Sequence, residues 1–191
     1  MQEVGVFLLI VFIAVFVFLL NKARLKDQQR ILQEIAHQRL GKYNHYLYPQ
    51  VQVFHQNQKI YLYCAPADRG APVTTNIVCS LKLPKRFWLL IYNESAFERF
   101  TKRLGAQDIQ VNNPAFDEKY MIKSSDPQVT RLILSRDVQE KMLRLFSSHV
   151  SIRITKRRLS IKLSRLIENR REGEELLDLA VLLINKLQFV G

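Results

Sequence analysis

The most constraining feature of this 191-residue chain is an uninterrupted apolar segment close to its start. The 17 residues from Val4 to Leu20 include no charged or strongly polar side chain. As a helix they would extend about 25 Å, the short end of what crosses the hydrocarbon core of a bilayer. A cleaved signal peptide normally begins with basic residues, whereas only Gln2 and Glu3 stand ahead of this segment. We therefore predict a transmembrane anchor over residues 1–21.

Charge around the anchor predicts its orientation. The anchor is followed by the basic side chains Lys22, Arg24, Lys26 and Arg30. Because basic residues flanking a span favour the cytoplasmic side, we expect the N-terminus outside and residues 21–191 in the cytoplasm, as a single-pass protein of the inner or plasma membrane. In that compartment Cys64 and Cys79 would be reduced thiols.

A helical juxtamembrane stalk is predicted over residues 22–42. No Gly or Pro interrupts the chain between Val6 and Leu40, and Gly41 is a plausible helix end. The stalk has a partial apolar stripe at helical spacing, formed by Leu25, Ile31, Leu32, Ile35, Ala36 and Leu40. A coiled coil could use this stripe, but packing against the protein's own domain is the simpler expectation.

Residues 43–191 are predicted to form one α+β domain with mostly antiparallel strands. Strand-like alternation or apolar runs occur at residues 51–54, 60–64, 74–83 and 87–92. Joined in sequence order, these four strands would form an antiparallel meander, with residues 87–92 at the centre of the sheet. A short helix is then expected to end at Leu104, before Gly105.

The second half of the domain alternates further strands and helices. Strands are predicted around 109–111 and over 116–123, and Asp126 followed by Pro127 predicts a helix start. Ser135 is expected to cap a second helix. Residues 150–165 form the clearest hairpin of the sequence, since apolar and polar residues alternate on both sides of Lys156-Arg157.

The chain ends in a segment that is apolar nearly all round. An acidic, turn-like stretch at 168–175 precedes a helix predicted over 176–190. A helix without a polar face must be covered on most sides, so we expect it to pack across the sheet.

The residues Phe116, Tyr120, Ile122, Asp126 and Pro127 form a recognisable pattern. It reads aromatic-x-x-x-aromatic-x-aliphatic-x-x-x-Asp-Pro and is followed by two helices and a hairpin. Over residues 106–190 the chain resembles a family of uncharacterised bacterial proteins with a single-span membrane anchor and a domain of unknown function. Arg136 stands where that family has a proline after the capping residue. The resemblance implies this layout and no particular activity.

The sequence shows no catalytic motif. Glycine-rich phosphate loops, nucleophile elbows, His-Glu-x-x-His motifs and Cys-x-x-Cys motifs are all missing, so we predict no enzyme, metal or cofactor. Cys64 and Cys79 are expected to be inert core thiols, Asp126 a helix cap, and Asp117 and Glu118 exposed strand residues. A site assembled from distant segments would be invisible at this level.

The remaining functional signal is positive charge. The net charge is +12, and an acid-free cluster of basic residues comprises Arg153, Lys156, Arg157, Arg158, Lys162 and Arg165. It could be a solvated face, or it could contact anionic lipid or an acidic partner. Nucleic acid is the less favoured partner because Ser and Thr, not aromatic residues, accompany these cations in the hairpin.

We therefore predict a membrane-anchored interaction module, acting as an accessory or scaffold subunit of a membrane protein complex. The alternatives are a peripheral domain that binds anionic lipid through the basic hairpin, and a membrane-bound enzyme with a dispersed site.

Overall fold

A single antiparallel sheet organises the chain. The computed structural model describes residues 12, 26–45, 48–65, 73–83, 86–93, 109–145 and 150–188. Eight strands lie in the order β1-β2-β3-β4-β8-β7-β5-β6, and every neighbouring pair is antiparallel. The strands are β1 (Lys42–His45), β2 (Pro49–His55), β3 (Gln58–Ala65), β4 (Thr74–Ser80), β5 (Leu89–Asn93), β6 (Tyr120–Ser124), β7 (Val150–Thr155) and β8 (Arg158–Leu163).

Helices cover one face of this sheet. The helices are α1 (residues 26–38), α2 (Pro114–Lys119), α3 (Pro127–Ile133), α4 (Arg136–Leu145) and α5 (Arg170–Gln188). Alternate strand residues point into this helical layer and are buried, as Ile152 and Ile154 of β7 and Leu159 and Ile161 of β8 show. The strand period of two therefore divides the sheet into a covered face and an opposite face, which we call the open face. The predicted α+β class is confirmed.

The strand order corrects the predicted four-strand meander. β2, β3 and β4 do follow one another, but the hairpin β7–β8 lies between β4 and β5. The hairpin has an uninterrupted apolar side, and its register sets Ile161 opposite Ile77 and Leu159 opposite Cys79. The middle of the sheet is thus occupied by β8 and β7, whose apolar side chains are buried. Strand β5 lies next to the edge strand β6 and not at the centre.

Helix α1 is part of the core. Leu32 and Ile35 are fully buried, and Gln28 is also buried one turn earlier. The Gln28 side-chain amide donates a hydrogen bond to the Ile167 carbonyl at 2.9 Å. At the other end of α1, the Arg39 guanidinium contacts the Asp178 carboxylate of α5 at 2.6 Å. The apolar stripe of the predicted stalk is therefore covered by the domain itself over residues 26–38.

The end of α1 depends on two adjacent residues. Leu40 has a positive φ of 49° and is 94% exposed, and the Gly41 N–H donates to the Ala36 carbonyl at 2.8 Å. This is the helix-ending arrangement in which the left-handed position normally belongs to glycine. Gly41 has a different role, because a Cβ there would lie 2.7 Å from the Gln52 carbonyl oxygen of β2.

The strand predicted over 116–123 is only partly correct. Residues 114–119 form α2, and β6 begins at Tyr120. The Asn113 side chain accepts a hydrogen bond from the Phe116 N–H, and Pro114 occupies the first turn, which is a favourable helix start. Asp117 is not an exposed strand residue, since its carboxylate accepts from the Val111 N–H at 2.9 Å. Glu118 is exposed on α2.

The strand predicted around 109–111 is wrong, since these residues lie in neither a helix nor a strand. The described residues also test the predictions for two helices. Asp126 caps α3 as predicted, since its carboxylate accepts from the N–H groups of Gln128 and Val129. The final helix packs across the sheet as predicted, but it begins at Arg170 within the stretch predicted as an acidic turn. Its start is explained by Asn169, whose side chain accepts from the Glu172 N–H at 3.0 Å.

No helix within the described residues is both long and apolar enough to cross a bilayer. The predicted anchor over residues 1–21 lies outside the described part of the chain, apart from Phe12, and so does the predicted helix ending at Leu104.

Candidate interaction surface

Acidic and basic side chains are separated between the two layers. None of the eight strands contains Asp or Glu. The twelve acidic residues in the described part of the chain all lie in helices, at a helix cap or in the turn before α5. The open face instead carries the basic residues Lys42, Lys59, Lys123, Arg153, Arg158 and Lys162.

The hairpin predicted from the sequence supplies three of these six basic residues and two more at its turn. Arg153 lies opposite Ser160 on the open face, and Arg158 lies opposite Thr155. Lys156 and Arg157 form the turn, and all four cations are exposed. Lys162 is exposed on the same face, further along β8, opposite Ser151.

Arg165 is placed apart from the other members of the predicted cluster. Its guanidinium forms an ion pair with Glu172 of α5 and lies 3.6 Å from the Glu168 carboxylate. It also donates to the Leu166 carbonyl at 3.1 Å, and its side chain is only 26% exposed. Arg165 therefore fixes the linker between β8 and α5 and is not part of the exposed cationic surface.

Two further cations join the hairpin turn in the folded chain. The residues after β4 run alongside the turn, since Leu81 N–H donates to the Arg157 carbonyl at 2.8 Å and Leu83 N–H to the Lys156 carbonyl at 3.1 Å. Lys82 between them is exposed. Lys59, at the start of β3, is exposed on the open face next to the Ile60–Cys79 pair. We call the following set the distal basic surface: Lys59, Lys82, Arg153, Lys156, Arg157 and Arg158, with the interspersed Phe54, Tyr61 and Val78.

Sequence reasoning missed Lys59 and Lys82 for a physical reason. Alternation within β3 does place Lys59 on the same side of the strand as Tyr61, so the face on which Lys59 lies could be predicted from the sequence. The contact with the hairpin depends on the pairing of β4 with β8, which are more than 70 residues apart in the chain. No local pattern specifies which strand a hairpin will pair with.

Apolar side chains separate the cations of the distal basic surface. Phe54 is 56% exposed, and Tyr61 and Val78 are half-buried. Tyr61 pairs with Val78, which pairs with Ser160, which pairs with Arg153, so these side chains form one row across four strands. The hairpin itself offers only Ser and Thr beside its cations, and the aromatic residues come from β2 and β3.

This surface lies at the opposite end of the strands from the beginning of α1. Gln28 in the first described turns of α1 contacts Cys64, whose thiol donates to the Gln28 side-chain amide oxygen Oε1 at 3.1 Å. Cys64 is level with Thr75 and Leu163 in the sheet register. From Leu163 to Arg157 the chain rises about 20 Å along β8. We call the end near Gln28 proximal and the end near Arg157 distal.

The proximal end contains a shallow cleft and two of the four cations predicted to lie next to the membrane. The cleft has a volume of about 480 Å³, with apolar walls that include Ile31, Val73 and Leu166. Arg30, at its rim, lies 3.9 Å from Glu34 of the same helix, and Lys26 is exposed. Lys22 and Arg24, the other two predicted juxtamembrane cations, lie outside the described residues.

Both cysteines are buried in the sheet. Cys64 and Cys79 are free thiols, and burial raises the pKa of each to about 11. A thiol with such a pKa is almost fully protonated at neutral pH and is a poor nucleophile. Within the described ranges, no group of three or more His, Cys, Asp and Glu side chains could hold a metal ion.

These features define the class of the protein: an α+β domain with helices on one side of an antiparallel sheet and, at one end of the other side, a cationic surface to which the described residues contribute no acid. Residues 73–168, half of the chain, match the family described as "Protein of unknown function (DUF3137)". The chain therefore belongs to the DUF3137 family. The match begins at β4 and ends before α5, whereas the resemblance noted in the sequence covers 106–190.

A solved structure has the same fold. The crystal structure of the mycobacterial trehalose monomycolate transport factor A, TtfA, matches with a TM-score of 0.58 and 10% sequence identity. The match covers 84% of this chain and 94% of that chain. At this identity the similarity establishes the fold alone. No curated protein sequence matches the chain.

Proposed function

We propose that this DUF3137 protein is a single-span, membrane-anchored interaction module that serves as an accessory or scaffold subunit of a membrane protein complex. The observation that carries the proposal is the direct connection between the apolar run at residues 4–20 and helix α1. No Gly or Pro lies between Val6 and Leu40, so one helix can continue from the bilayer into the domain.

The integration of α1 gives this anchor a mechanical consequence. Leu32 and Ile35 are buried in the domain core, and Gln28 and Arg39 bind the linker before α5 and α5 itself. A domain attached in this way is held in one orientation relative to its span, whereas a flexible linker would let it rotate freely. A fixed orientation suits a subunit that presents one surface to a neighbouring protein.

The same geometry speaks against the lipid-binding alternative. If the span continues α1, the proximal end of the sheet lies nearest to the headgroups. The hairpin turn at Lys156-Arg157 lies about 20 Å from that end along the strands, more than two Debye lengths at physiological ionic strength. Attraction of that turn to anionic lipid would be strongly screened at this distance. We therefore favour a protein partner over the bilayer for the basic hairpin.

The test uses the full-length chain with a C-terminal tag in intact cells. We expect the chain in the membrane pellet after a carbonate wash, and the tagged domain should resist external protease until the cells are permeabilised. A stoichiometric partner should co-purify in mild detergent. A chain found in the carbonate supernatant, or a domain digested from outside intact cells, would contradict the proposed anchor or its orientation.

A further inference from the structure

We propose that the distal basic surface binds an acidic segment of a partner protein that also carries apolar side chains. This inference deepens the proposed function, because it names the chemistry of the partner that the module would recognise. It depends on the folded domain, so it can be tested separately from the anchor.

The first argument is the pairing of the cations. Eight basic side chains form ion pairs with carboxylates of the helical layer or the linker before α5: Arg30, Arg39, Arg136, Lys141, Arg165, Arg170, Arg171 and Lys186. None of the six cations of the distal basic surface has an ion pair with a carboxylate of the described chain. This surface thus combines a high density of cations with no compensating acid among the described residues, and such a surface complements an acidic ligand.

The second argument is the spacing of the cations. Adjacent strands lie about 4.8 Å apart, so Lys59 on β3 and Arg158 on β8 are separated by two strand steps, or about 10 Å. Arg153 on β7 is one strand farther. An extended peptide with acidic residues at alternate positions has carboxylates about 7 Å apart on one side. One extended segment can therefore contact several of these cations at once.

The third argument distinguishes a protein from a nucleic acid. The row that joins Tyr61, Val78 and Arg153 mixes apolar and cationic side chains, and Phe54 is exposed beside it. Val78 offers a base no stacking surface, whereas it can pack against an apolar side chain of a peptide. A single-stranded nucleic acid would be favoured by several open aromatic rings along its path.

The fourth argument distinguishes a protein from the bilayer. Helix α1 packs on the covered face of the sheet, opposite the open face that carries the distal basic surface. The beginning of α1 lies at the proximal end, where Gln28 contacts Cys64 and Ile167, so a span continuous with α1 would bring that end of the sheet nearest to the bilayer. The distal basic surface would then lie at the end of the sheet remote from the bilayer, where a neighbouring subunit can reach it.

The limits of the surface follow from burial. Lys123 and Tyr92 occupy the open face at the β5–β6 end, and both are buried, as are Thr74 and Asn76 toward the proximal end. The exposed part of the open face therefore lies on β2, β3, β4, β8 and β7, mainly toward the distal end. The binding surface therefore comprises the distal cations and the three apolar residues between them.

The experiment measures binding of a fluorescein-labelled peptide in which Glu alternates with Leu and Ser. The purified full-length chain in detergent is titrated, and fluorescence anisotropy reports binding. We expect saturable binding that weakens as salt rises, and much weaker binding of the same peptide with Gln in place of Glu.

A matched pair of triple variants locates the binding site. Removing three cations of the distal basic surface in Lys59→Gln/Arg153→Gln/Arg158→Gln should weaken binding about 10- to 100-fold. The control Arg136→Gln/Arg144→Gln/Arg171→Gln removes the same charge from the exposed side of the helical layer and should change the affinity by less than about threefold. Unchanged urea midpoints would show that both triple variants remain folded.

A fourth variant tests the apolar part of the surface. Tyr61→Thr changes no charge, and threonine is also favoured in strands. The substitution should weaken peptide binding about 3- to 10-fold without changing the salt dependence of binding. If the triple variant fails to fold, the turn substitutions Lys156→Gln/Arg157→Gln provide the same comparison at exposed positions outside the strands.

Several results would overturn the proposal. These are no binding of the acidic peptide, equal loss in the two triple variants, or tighter binding of oligouridylate than of the peptide with the same dependence on the distal cations. Tighter binding to phosphatidylglycerol vesicles through those cations would assign the surface to lipid. A failed carbonate or protease test, with peptide binding intact, would refute the anchor and leave this inference standing.

Discussion

The burial of α1 leads to a quantitative prediction for Leu32→Ala. Leu32 is 0% exposed within the core that α1 shares with the sheet. The substitution removes three carbon atoms, each contributing about 0.8 kcal/mol when buried, and leaves a cavity that the surrounding side chains only partly fill. We expect the free energy of unfolding to fall by about 2–5 kcal/mol.

The measurement is equilibrium urea denaturation of the full-length chain in detergent. The fluorescence of Trp88, the single tryptophan, reports the sheet, since Trp88 lies immediately before β5. The control is Leu132→Ala, which makes the same chemical change at a residue that is 66% exposed on α3. It should cost less than about 0.5 kcal/mol.

The reasoning would be refuted if Leu32→Ala behaved like the control, or if α1 melted in a separate transition at low urea while Trp88 fluorescence stayed constant. Either result would mean that α1 is an independent stalk. The proposed rigid connection between span and domain would then have no structural basis.

Three further predictions concern single sites. Leu40→Gly should raise the free energy of unfolding by about 0.5–1 kcal/mol because it relieves a positive φ, whereas Gly41→Ala should lower it by about 1–3 kcal/mol because the new methyl group meets a backbone carbonyl; urea midpoints check both. A hydrogen bond from the Ser135 hydroxyl, and then Lys186, lowers the pKa of Asp137 below its ordinary 3.8, so the charged carboxylate stabilises the fold above pH 3.8. The difference in free energy of unfolding between the wild type and Asp137→Asn should therefore shrink as the pH falls through the lowered pKa. Because burial raises the pKa of Cys64 and Cys79 from 9.0 to about 11, iodoacetamide at pH 8 should alkylate them about 100-fold more slowly than exposed thiols, and fast labelling of the folded chain would contradict their burial.

Local features of the fold could be predicted well from the sequence. Asp126 before Pro127 gave the start of α3, and strict alternation around Lys156-Arg157 gave the β7–β8 hairpin and its two faces. These predictions succeeded because capping and alternation depend on residues within a few positions of one another. The strand predicted over 116–123 was wrong over residues 116–119, because Asn113 caps a helix there and Pro114 occupies its first turn.

The candidate site was predictable only in part. The hairpin cations Arg153, Lys156, Arg157 and Arg158 were found from their density in the sequence and do lie together. Arg165 belongs to the same sequence cluster, but Glu172 of α5 holds it away from the surface. A charge cluster in the sequence therefore includes a residue that is not on the surface, Arg165, and misses the cations that other parts of the sheet contribute, Lys59 and Lys82.

By itself the sequence determined the class of the fold, the hairpin, the final apolar helix and the prediction of an anchor, since each depends on composition or on a period within a short window. Only the tertiary structure decided that β7–β8 separates β4 from β5, that α1 is buried in the domain, and that Lys59 and Lys82 lie at the same end of the sheet as the hairpin turn, remote from Gln28. The physical reason is that these long-range contacts are stabilised by apolar surfaces that come together only when the chain folds. Residues close together in the sequence therefore do not show which surfaces will pack.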